Sequence, residues 1–373
     1  MTESQAYVAF NLTDNVGFAT VGELVAKAGS VVAAWEAFPR KVSRTGGAVD
    51  VADEFAKAEK FGVRIVTPAD ADYPDALRHA PGAPLALYVK GDVKALGKPA
   101  IAMVGTRRAT AYGRDHANRL SHDLAQAGWS IVSGLALGID AEAHRGALAA
   151  GGVTVGVIGS GLDRFYPEEN RELAREIVRA GGAVVSEFPF GRPPDQQTFP
   201  IRNHVVAALA RGVVAVEAPI RSGTLITTGI AADLGRTVMA VPGRVGDRMS
   251  SGCLKLIREG AVLVRDVDDV LEAMSELLPK GRETQDARRG DGAASSVLSL
   301  PSASDPDTPK YSVEESLVML HVDADGITMD ELIRKTGLPP ERVNALALSL
   351  RIKGFVRFLP GNRISLLTGG RSF

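Results

Sequence analysis

The sequence predicts an α/β protein in which a doubly wound parallel sheet follows an N-terminal helical domain and precedes a C-terminal winged helix. Through the middle of the chain, short β-branched runs alternate with amphipathic helical segments, which is typical of a parallel sheet with helices on both faces. The β-branched runs are almost continuously apolar, as expected of strands that are buried on both faces. The two ends of the chain lack this alternation and show helical spacing instead.

The first domain, residues 1–60, is predicted to be a small helical module of SAM or helix-hairpin-helix type. Its apolar residues recur at helical spacing: Leu24, Val25, Val31, Val32, Trp35 and Phe38. A turn at residues 15–20 resembles a degraded helix-hairpin-helix, but only Gly17 remains of the usual glycine pair. Because the module carries 6 basic and 8 acidic residues, packing or protein contact is favoured over DNA binding.

The second domain, residues 61–278, contains the predicted parallel sheet. Its candidate strands are Ile101–Val104, Ser130–Val132, Val153–Ile158, Ala183–Val185, Val213–Val216, Val238–Val241 and Val262–Val264. Its candidate helices are Ala117–Ala127, Ala141–Ala149, Glu168–Ala180 and Ile226–Leu234.

The remaining residues are predicted to form a linker and a winged helix. Residues 279–310 contain no aromatic side chain and are rich in Gly, Ser, Pro, Asp and Arg, which predicts a flexible linker. Residues 311–368 contain three helical patterns followed by a hairpin: Val313–Leu320, Met329–Thr336, Glu341–Lys353, then Phe355–Leu359 and Arg363–Leu367. This segment has 7 basic and 7 acidic residues, and Pro340-Glu341 begins its recognition helix, so protein contact is expected there rather than the main DNA site.

Composition narrows the function classes. The formal net charge is −1, so any nucleic-acid binding must rely on a local concentration of Arg and Lys. The single cysteine, Cys253, leaves no disulfide framework and few ligands for zinc, and neither a metal nor a cofactor is expected. The chain starts without a signal peptide, and the apolar stretch from Val205 to Ile220 is broken by Arg211 and Glu217. A cytoplasmic protein without membrane contact is therefore expected.

The loops that follow the predicted strands carry the candidate binding residues. In an open parallel sheet, ligands bind at the carboxyl ends of the strands. Those ends lead into Gly105-Thr106-Arg107-Arg108, Ser133-Gly134 and Ser222-Gly223-Thr224, with Phe199, Arg202 and Asn203 in a further segment. Glycines, hydroxyl groups and helix N-termini on one edge favour phosphate, and the arginines add fixed positive charge. One such loop alone would indicate only a tight turn, whereas several on one edge favour a ligand site.

Recognisable catalytic patterns are missing from the sequence. There is no P-loop, and no Gly-x-Gly-x-x-Gly follows the first strand with a partner acidic residue. Asp140 and His144 stand four residues apart, where a helix-stabilising pair or a core histidine is favoured over a catalytic dyad. Ser133 lacks the pattern of a nucleophile elbow.

Taken in order, these loops resemble the DprA/Smf family of bacterial DNA-processing proteins from about Tyr73 to Val264. The motifs are Val104-Gly105-Thr106-Arg107 with Tyr112-Gly113, Ser133-Gly134-Leu135-Ala136 with Gly138-Ile139-Asp140 and His144, Gly161-Leu162-Asp163 with Tyr166-Pro167 and Asn170, Ser186-Glu187, Phe199-Pro200 with Arg202-Asn203, and Ser222-Gly223-Thr224-Leu225-Ile226-Thr227. The resemblance implies an extended Rossmann-like core that forms a homodimer, binds single-stranded DNA without catalysis and helps to load a RecA-type recombinase. The resemblance also suggests a single-strand-binding protein as a further partner and natural transformation as the process in which the protein acts.

The sequence departs from the family's motifs at three positions, and an alternative function remains open. Thr106 replaces the usual serine but keeps the hydroxyl, His204 stands where a second arginine is common, and Leu254 stands where a polar residue is usual. The last two put the strength of DNA binding in question. The alternative is a nucleoside-monophosphate phosphoribohydrolase-like enzyme on the same fold. That chemistry needs a glutamate after the Gly-Thr pair, and here Thr227 occupies its place.

Overall fold

The computed structural model describes residues 1–39, 42–43, 47–275, 318–319, 321–322, 326–336, 338–340, 342–343, 346–347, 350, 355–359 and 363–366. The chain divides into two compact units, Met1–Gly281 and Arg282–Phe373. Within the described residues no single helix has the length and apolar character to span a bilayer; Phe18–Ala28 and Val31–Ala37 meet that test only as a pair bent by 94°.

The N-terminal part of the first unit consists of four helices with local start signals. They are α1 (Glu3–Leu12), α2 (Phe18–Ala28), α3 (Val31–Ala37) and α4 (Val51–Phe61). The side chains of Thr2, Ser30 and Asp50 accept backbone hydrogen bonds at the starts of α1, α3 and α4, satisfying amides that a helix leaves unpaired. The ring of Phe10 packs edge-on against that of Trp35, 5.1 Å away. Aromatic packing therefore holds these helices together, as the apolar spacing predicts.

These helices also pack against the sheet that follows. Leu85 joins the aromatic cluster of Phe10 and Trp35, and Val8 packs with Tyr88 and Phe190. The N-terminal helices and the sheet therefore share apolar cores within one compact unit.

The sheet of the first unit has nine strands. They are β1 (Arg64–Val66), β2 (Leu87–Gly91), β3 (Ala100–Val104), β4 (Ser130–Ser133), β5 (Thr154–Val157), β6 (Ala183–Ser186), β7 (Gly212–Ala215), β8 (Thr237–Ala240) and β9 (Val262–Leu263). Their spatial order is β1-β2-β6-β5-β4-β3-β7-β8-β9. All seven predicted strands are present and run parallel to one another.

The prediction of an all-parallel sheet is incomplete at one edge. There β1 pairs antiparallel with β2, and β2 pairs antiparallel with β6. These two strands are absent from the predicted set. Strand β1 has only three residues, and β2 belongs to a short apolar run that ends at Val89, before Lys90-Gly91.

Helices cover both faces of the sheet, as predicted. They are α5 (Asp75–Arg78), α6 (Ala111–Gln126), α7 (Ile139–Ala149), α8 (Arg171–Arg179), α9 (Thr198–Leu209), α10 (Gly223–Asp233), α11 (Ser251–Arg258) and α12 (Val267–Ser275). The alternation of side chains along a strand divides the core in two. Ala102 and Val104 of β3 belong to the cluster packed with α9, whereas Ile101 and Met103 belong to the cluster packed with α6 and α7.

The second unit contains a three-stranded sheet and a helix in its described residues. The strands are β10 (Ile327–Thr328), β11 (Val356–Leu359) and β12 (Arg363–Leu366), paired antiparallel in the order β10-β12-β11, and α13 spans Met329–Thr336. The predicted hairpin and second helix of the winged helix are thus confirmed. The predicted linker at 279–310 lies outside the described residues, as does most of Val313–Leu320.

A candidate nucleic-acid interface at the switch point of the sheet

A cleft opens at the carboxyl ends of the central strands. Because β3 lies between β4 and β7, the chain leaves β3 in one direction across the sheet and returns on its other side, which creates a crevice between neighbouring loops. The cleft has a volume of about 480 Å³. It is lined by the loops after β3, β4 and β7 and by the first half of α9.

Glu217 fastens the loop that follows β3. Its backbone carbonyl accepts the Thr106 amide at 2.8 Å, and its carboxylate accepts the Thr110 amide at 2.9 Å and the Thr110 hydroxyl at 2.5 Å. Thr110 in turn caps α6 by accepting from the Gly113 amide. The loop is thereby held at both of its ends, so Arg107 and Arg108 project from a defined backbone.

Arg107 supplies an exposed cation beside an aromatic ring. Its guanidinium carbon lies 4.8 Å from the centroid of the Phe199 ring, within the range of a cation–π contact. Arg108 and Arg221 are also exposed at the cleft. Three solvent-accessible arginines therefore line a site in a protein whose overall charge is close to neutral.

The N-terminus of α10 faces the same cleft. Ser222 precedes the helix, and Gly223 and Thr224 form its start. Ser222 Oγ is buried and has no hydrogen-bond partner among the residues that the structure describes. The first amides of a helix have no intrahelical partner and carry the positive end of its dipole, so this hydroxyl and these amides suit an anion.

Arg202 lies beneath the cleft surface. Its side chain is buried, with Nη1 donating to the carbonyls of Gly134 and, at 2.5 Å, Val157, and with Nε donating to Asn203 Oδ1 at 3.1 Å. Burial lowers the pKa of Arg202 to about 10 while Asp140 opposes that shift. Two of its nitrogens hold protein groups, so the contact of Arg202 with phosphate stays a prediction for a side chain that the fold also uses structurally.

Asp140 and Asn170 order the loop that follows β4. Asp140 Oδ2 accepts the amides of Gly134 at 3.1 Å and Ala136 at 3.4 Å, and Asn170 Nδ2 donates to the carbonyl of Leu135 at 2.8 Å. Leu135 has a φ of 52°, a left-handed conformation that is costly for a residue with a side chain. This conformational cost is offset because the residues on either side, Gly134 and Ala136, both donate backbone hydrogen bonds to Asp140.

The structure brings together nearly all of the predicted binding residues. The cleft is lined by Gly105, Thr106, Arg107, Arg108, Gly134, Phe199, Arg202, Asn203, Ser222, Gly223 and Thr224. Ser133 is the exception and a correction. It is fully buried, and its hydroxyl donates to the carbonyl of Met103 at 2.6 Å, because the last residue of β4 still points into the core.

Two of the predicted glycines serve packing rather than ligand approach. A Cβ on Gly105 would lie 2.6 Å from Cβ of Ile139, and one on Gly134 would lie 2.6 Å from Asp140 Oδ2. Gly223 differs, since a Cβ there would meet nothing within 4 Å. Among these three, only Gly223 leaves open space beside its backbone.

Asp140 and His144 do not form a dyad. His144 is fully buried and its Nδ1 lies 2.6 Å from the Thr154 hydroxyl, which itself donates to the carbonyl of Ile131. The hydroxyl must therefore accept from Nδ1–H, leaving Nε2 as the unprotonated nitrogen. Burial lowers the pKa of His144 to about 3. His144 is thus a neutral core histidine, the interpretation that the sequence favours.

Sequence reasoning overlooked two residues of this site. The sequence presents Glu217 as a charge that interrupts an apolar stretch, and a lone carboxylate directly after a buried strand also indicates a buried hydrogen-bonding role. Arg221 is outside the predicted site, and it directly precedes the Ser222-Gly223-Thr224 loop. His204, one of the departures, is absent from the cleft lining; it is half-buried beside Gly82.

Fold and cleft together define a Rossmann-like protein with an arginine-lined cleft at the carboxyl ends of its central strands. A family model described as DNA recombination-mediator protein A matches residues 64–275, and one described as the DprA winged helix domain matches residues 301–362. The chain belongs to the DprA/Smf family of DNA-processing proteins.

Curated relatives and solved structures agree with this assignment. The chain is 34% identical to Protein Smf of Synechocystis over 80% of its own length and 79% of the relative. It is 36% identical to the putative DNA processing protein DprA of Mycobacterium tuberculosis over 83% of its length and 79% of the relative. The X-ray structure of DNA processing protein A from Streptococcus pneumoniae superposes with a TM-score of 0.60 at 33% identity, covering 73% of this chain and 98% of that one.

A second solved structure also matches the chain. DNA processing protein A from Helicobacter pylori, described for its single-stranded DNA binding mode, matches with a TM-score of 0.52 at 30% identity. The match covers 57% of this chain and 96% of that one.

Proposed function

We propose that this chain binds and protects single-stranded DNA without sequence preference and helps to load a RecA-type recombinase onto it, acting in the cytoplasm as a homodimer and not as an enzyme. Its setting would be DNA uptake and recombination, with a single-strand-binding protein as a further partner. The observation that carries the proposal is the cleft itself, in which exposed arginines, an aromatic ring and a helix N-terminus converge.

The composition of the cleft favours single strands over duplex. Phosphates suit Arg107, Arg108 and the start of α10, while unstacked bases have the rings of Phe199 and Tyr166, 6.2 Å apart, within the same region. Stacking of one base on an aromatic side chain contributes about 1–3 kcal/mol and is tolerant of sequence. A duplex keeps its bases stacked on each other and cannot use these rings.

Binding of labelled oligonucleotides at matched salt tests this proposal. We expect tighter binding to single strands than to the duplex of the same length, with similar affinities for different sequences. Equal affinity for both forms would contradict it.

Incubation with nucleoside monophosphates tests the phosphoribohydrolase alternative. For that reaction the cleft has Thr227 where a glutamate is needed, and the carboxylate of Asp140 already accepts hydrogen bonds from two amides. Release of free base would favour that alternative.

Arg107→Ala tests the placement of DNA in the cleft. Losing one phosphate contact should weaken single-strand binding about tenfold, or ~1.4 kcal/mol. The slope of log affinity against log salt should flatten by about 0.7. Arg145→Ala is the matched control, because it removes an exposed arginine from α7 outside the cleft lining. Melting temperatures of both variants should stay close to wild type, and an unchanged salt slope for Arg107→Ala would place the DNA elsewhere.

A further inference from the structure

A second concave site lies on the sheet away from the cleft, between the end of α4 and helix α8. Its volume is about 320 Å³, and it shares no lining residue with the cleft. Its apolar surface includes Val63, Leu162, Val178 and Val184. This site is called the α4–α8 groove below.

The groove is a consequence of the two antiparallel edge strands. Helix α8 packs on β5 and β6, whereas α4 packs on β1 at the edge of the sheet. Among the described residues that line the groove, the helical ones come from α4 and α8, and Phe61, the last residue of α4, forms the far wall. Phe61 remains 41% exposed even though its ring stacks on Phe190.

Every charged residue that lines the groove is a cation. Lys90, Arg171, Arg175 and Arg179 surround the apolar floor, and no carboxylate is among the lining residues. Arg175 and Arg179 share a single carboxylate, that of Glu172, each at 2.9 Å. Their side chains are 59% and 66% exposed, so these pairs are weak and can be exchanged for carboxylates of a ligand at little cost.

The aromatic rings of the groove are poorly placed for stacking nucleic-acid bases. Phe61 stacks on Phe190 with ring centroids 5.4 Å apart, and Lys60 Nζ lies 5.9 Å from its centroid. The guanidinium of Arg171 lies 5.3 Å from the centroid of Phe165. The floor is aliphatic, which suits an inserted leucine or phenylalanine side chain better than a polar base.

We propose that the α4–α8 groove binds an acidic peptide segment of a partner protein. One large apolar side chain of the segment enters between Phe61 and Phe165, and neighbouring carboxylates bind the forks of Arg175 and Arg179. The guanidinium of arginine presents its donors in a geometry that matches a carboxylate. Apolar pockets that receive individual side chains of a bound peptide give the interaction its specificity. The four cations that line the groove and its apolar floor are the complement of such a segment.

Fluorescence anisotropy on the full chain tests the proposal with three labelled synthetic peptides. The first is acidic and carries one leucine and one phenylalanine, the second has serine at both apolar positions, and the third has glutamine in place of each acid. We expect the first peptide to bind at least tenfold more tightly than the other two. Arg175→Glu with Arg179→Glu should reduce its affinity at least tenfold, whereas Arg145→Glu, on α7, should leave it within twofold. The melting temperature of each variant shows that folding is intact.

Two readouts separate this site from the cleft. Arg107→Ala should weaken oligonucleotide binding and leave peptide affinity unchanged, whereas the Arg175→Glu, Arg179→Glu variant should do the reverse. No binding of the first peptide, or equal binding of all three, would overturn the proposal. It would also be overturned if the charge reversal weakened oligonucleotide binding more than tenfold, since the groove would then be part of a DNA path.

Discussion

Arg107 and Arg202, which belong to two of the motifs shared with the family, have opposite environments. Arg107 is exposed and lies over an aromatic ring. Arg202 is 5% exposed and donates hydrogen bonds to protein carbonyls. Arg107 follows Gly105-Thr106 and Arg202 follows Pro200-Ile201, and neither sequence pattern shows whether the arginine is exposed or buried. The difference arises from Gly134, Val157 and Asp140, which lie in a loop, a strand and a helix distant in sequence and are brought to Arg202 only by the fold.

Arg202→Ala should destabilise the protein as well as weaken binding. Removing the Arg202 side chain should cost about 3–5 kcal/mol, because the buried carbonyls of Gly134 and Val157 lose their donor and Asp140 loses a nearby cation. Chemical denaturation measures this loss directly. In an Asp140→Asn background the same change should cost less by about 1–3 kcal/mol, since no buried charge is then left unpaired. Equal costs in both backgrounds would show that the two side chains are not coupled.

His144 makes stability depend on pH. Burial places its pKa at about 3, against about 6.5 for an unperturbed histidine. The unfolded state therefore binds the proton first as pH falls, so stability that is complete above pH 6.5 is lost progressively below it. Between pH 7 and pH 5 this one group should lower the free energy of unfolding by about 2 kcal/mol.

Comparison with His144→Asn isolates that contribution. The asparagine amide can donate to the Thr154 hydroxyl as Nδ1 does, but it cannot be protonated. Urea unfolding at both pH values should show a pH-dependent loss about 2 kcal/mol smaller for the variant. His116 and His204, whose pKa values burial also lowers, titrate in both proteins and cancel in the difference. An identical loss in the two proteins would mean that His144 is not the group responsible.

At the scale of elements, the start of α10 offers a clean comparison. Gly223→Ala adds a Cβ that meets nothing within 4 Å, so the fold should be unharmed or stabilised by about 0.4–1 kcal/mol. If the first amides of α10 hold a phosphate, the added methyl should weaken single-strand binding several-fold. Gly229→Ala, in the same helix and equally unobstructed but outside the cleft lining, is the control and should bind as wild type. Unchanged binding by both variants would remove α10 from the DNA site.

The seven central strands were predictable because two-sided burial demands an apolar run that few other elements share. Helix α9 was not, since Val205 to Ala210 is buried on all sides and continues almost directly into β7, which hides the helical period. Strand β1 is a three-residue edge strand, which needs no such run, and β2 lies outside the alternation of strands and helices on which the prediction rests. For the site, strand ends located the loops correctly, but burial of Ser133 and Arg202 depends on contacts distant in sequence.

At the scale of the whole molecule, the two compact units can be separated experimentally. The cleft lies entirely within Met1–Gly281, and the winged helix has equal numbers of basic and acidic residues. A chain ending at Pro279 should therefore keep most of its single-strand affinity. Measurement on both forms at the same salt checks this, and a loss of more than tenfold would assign the winged helix a direct part in DNA binding.

The pairing of β2 with β6 has a consequence for how the protein is made. The ribosome releases β2 long before Ala183–Ser186, the only strand that joins β1 and β2 to the rest of the described sheet. At a translation rate of ~5–20 residues per second, several seconds pass between the synthesis of β2 and the synthesis of β6. During that time the N-terminal helices and the pair β1 and β2 lack the strand that joins them to the sheet. Closing so long a loop is slow compared with the local β-α-β steps between β3 and β6. The segment synthesised first should therefore acquire protection from hydrogen exchange after β3, β4 and β5, and during that interval it is the part of the nascent chain most open to chaperones.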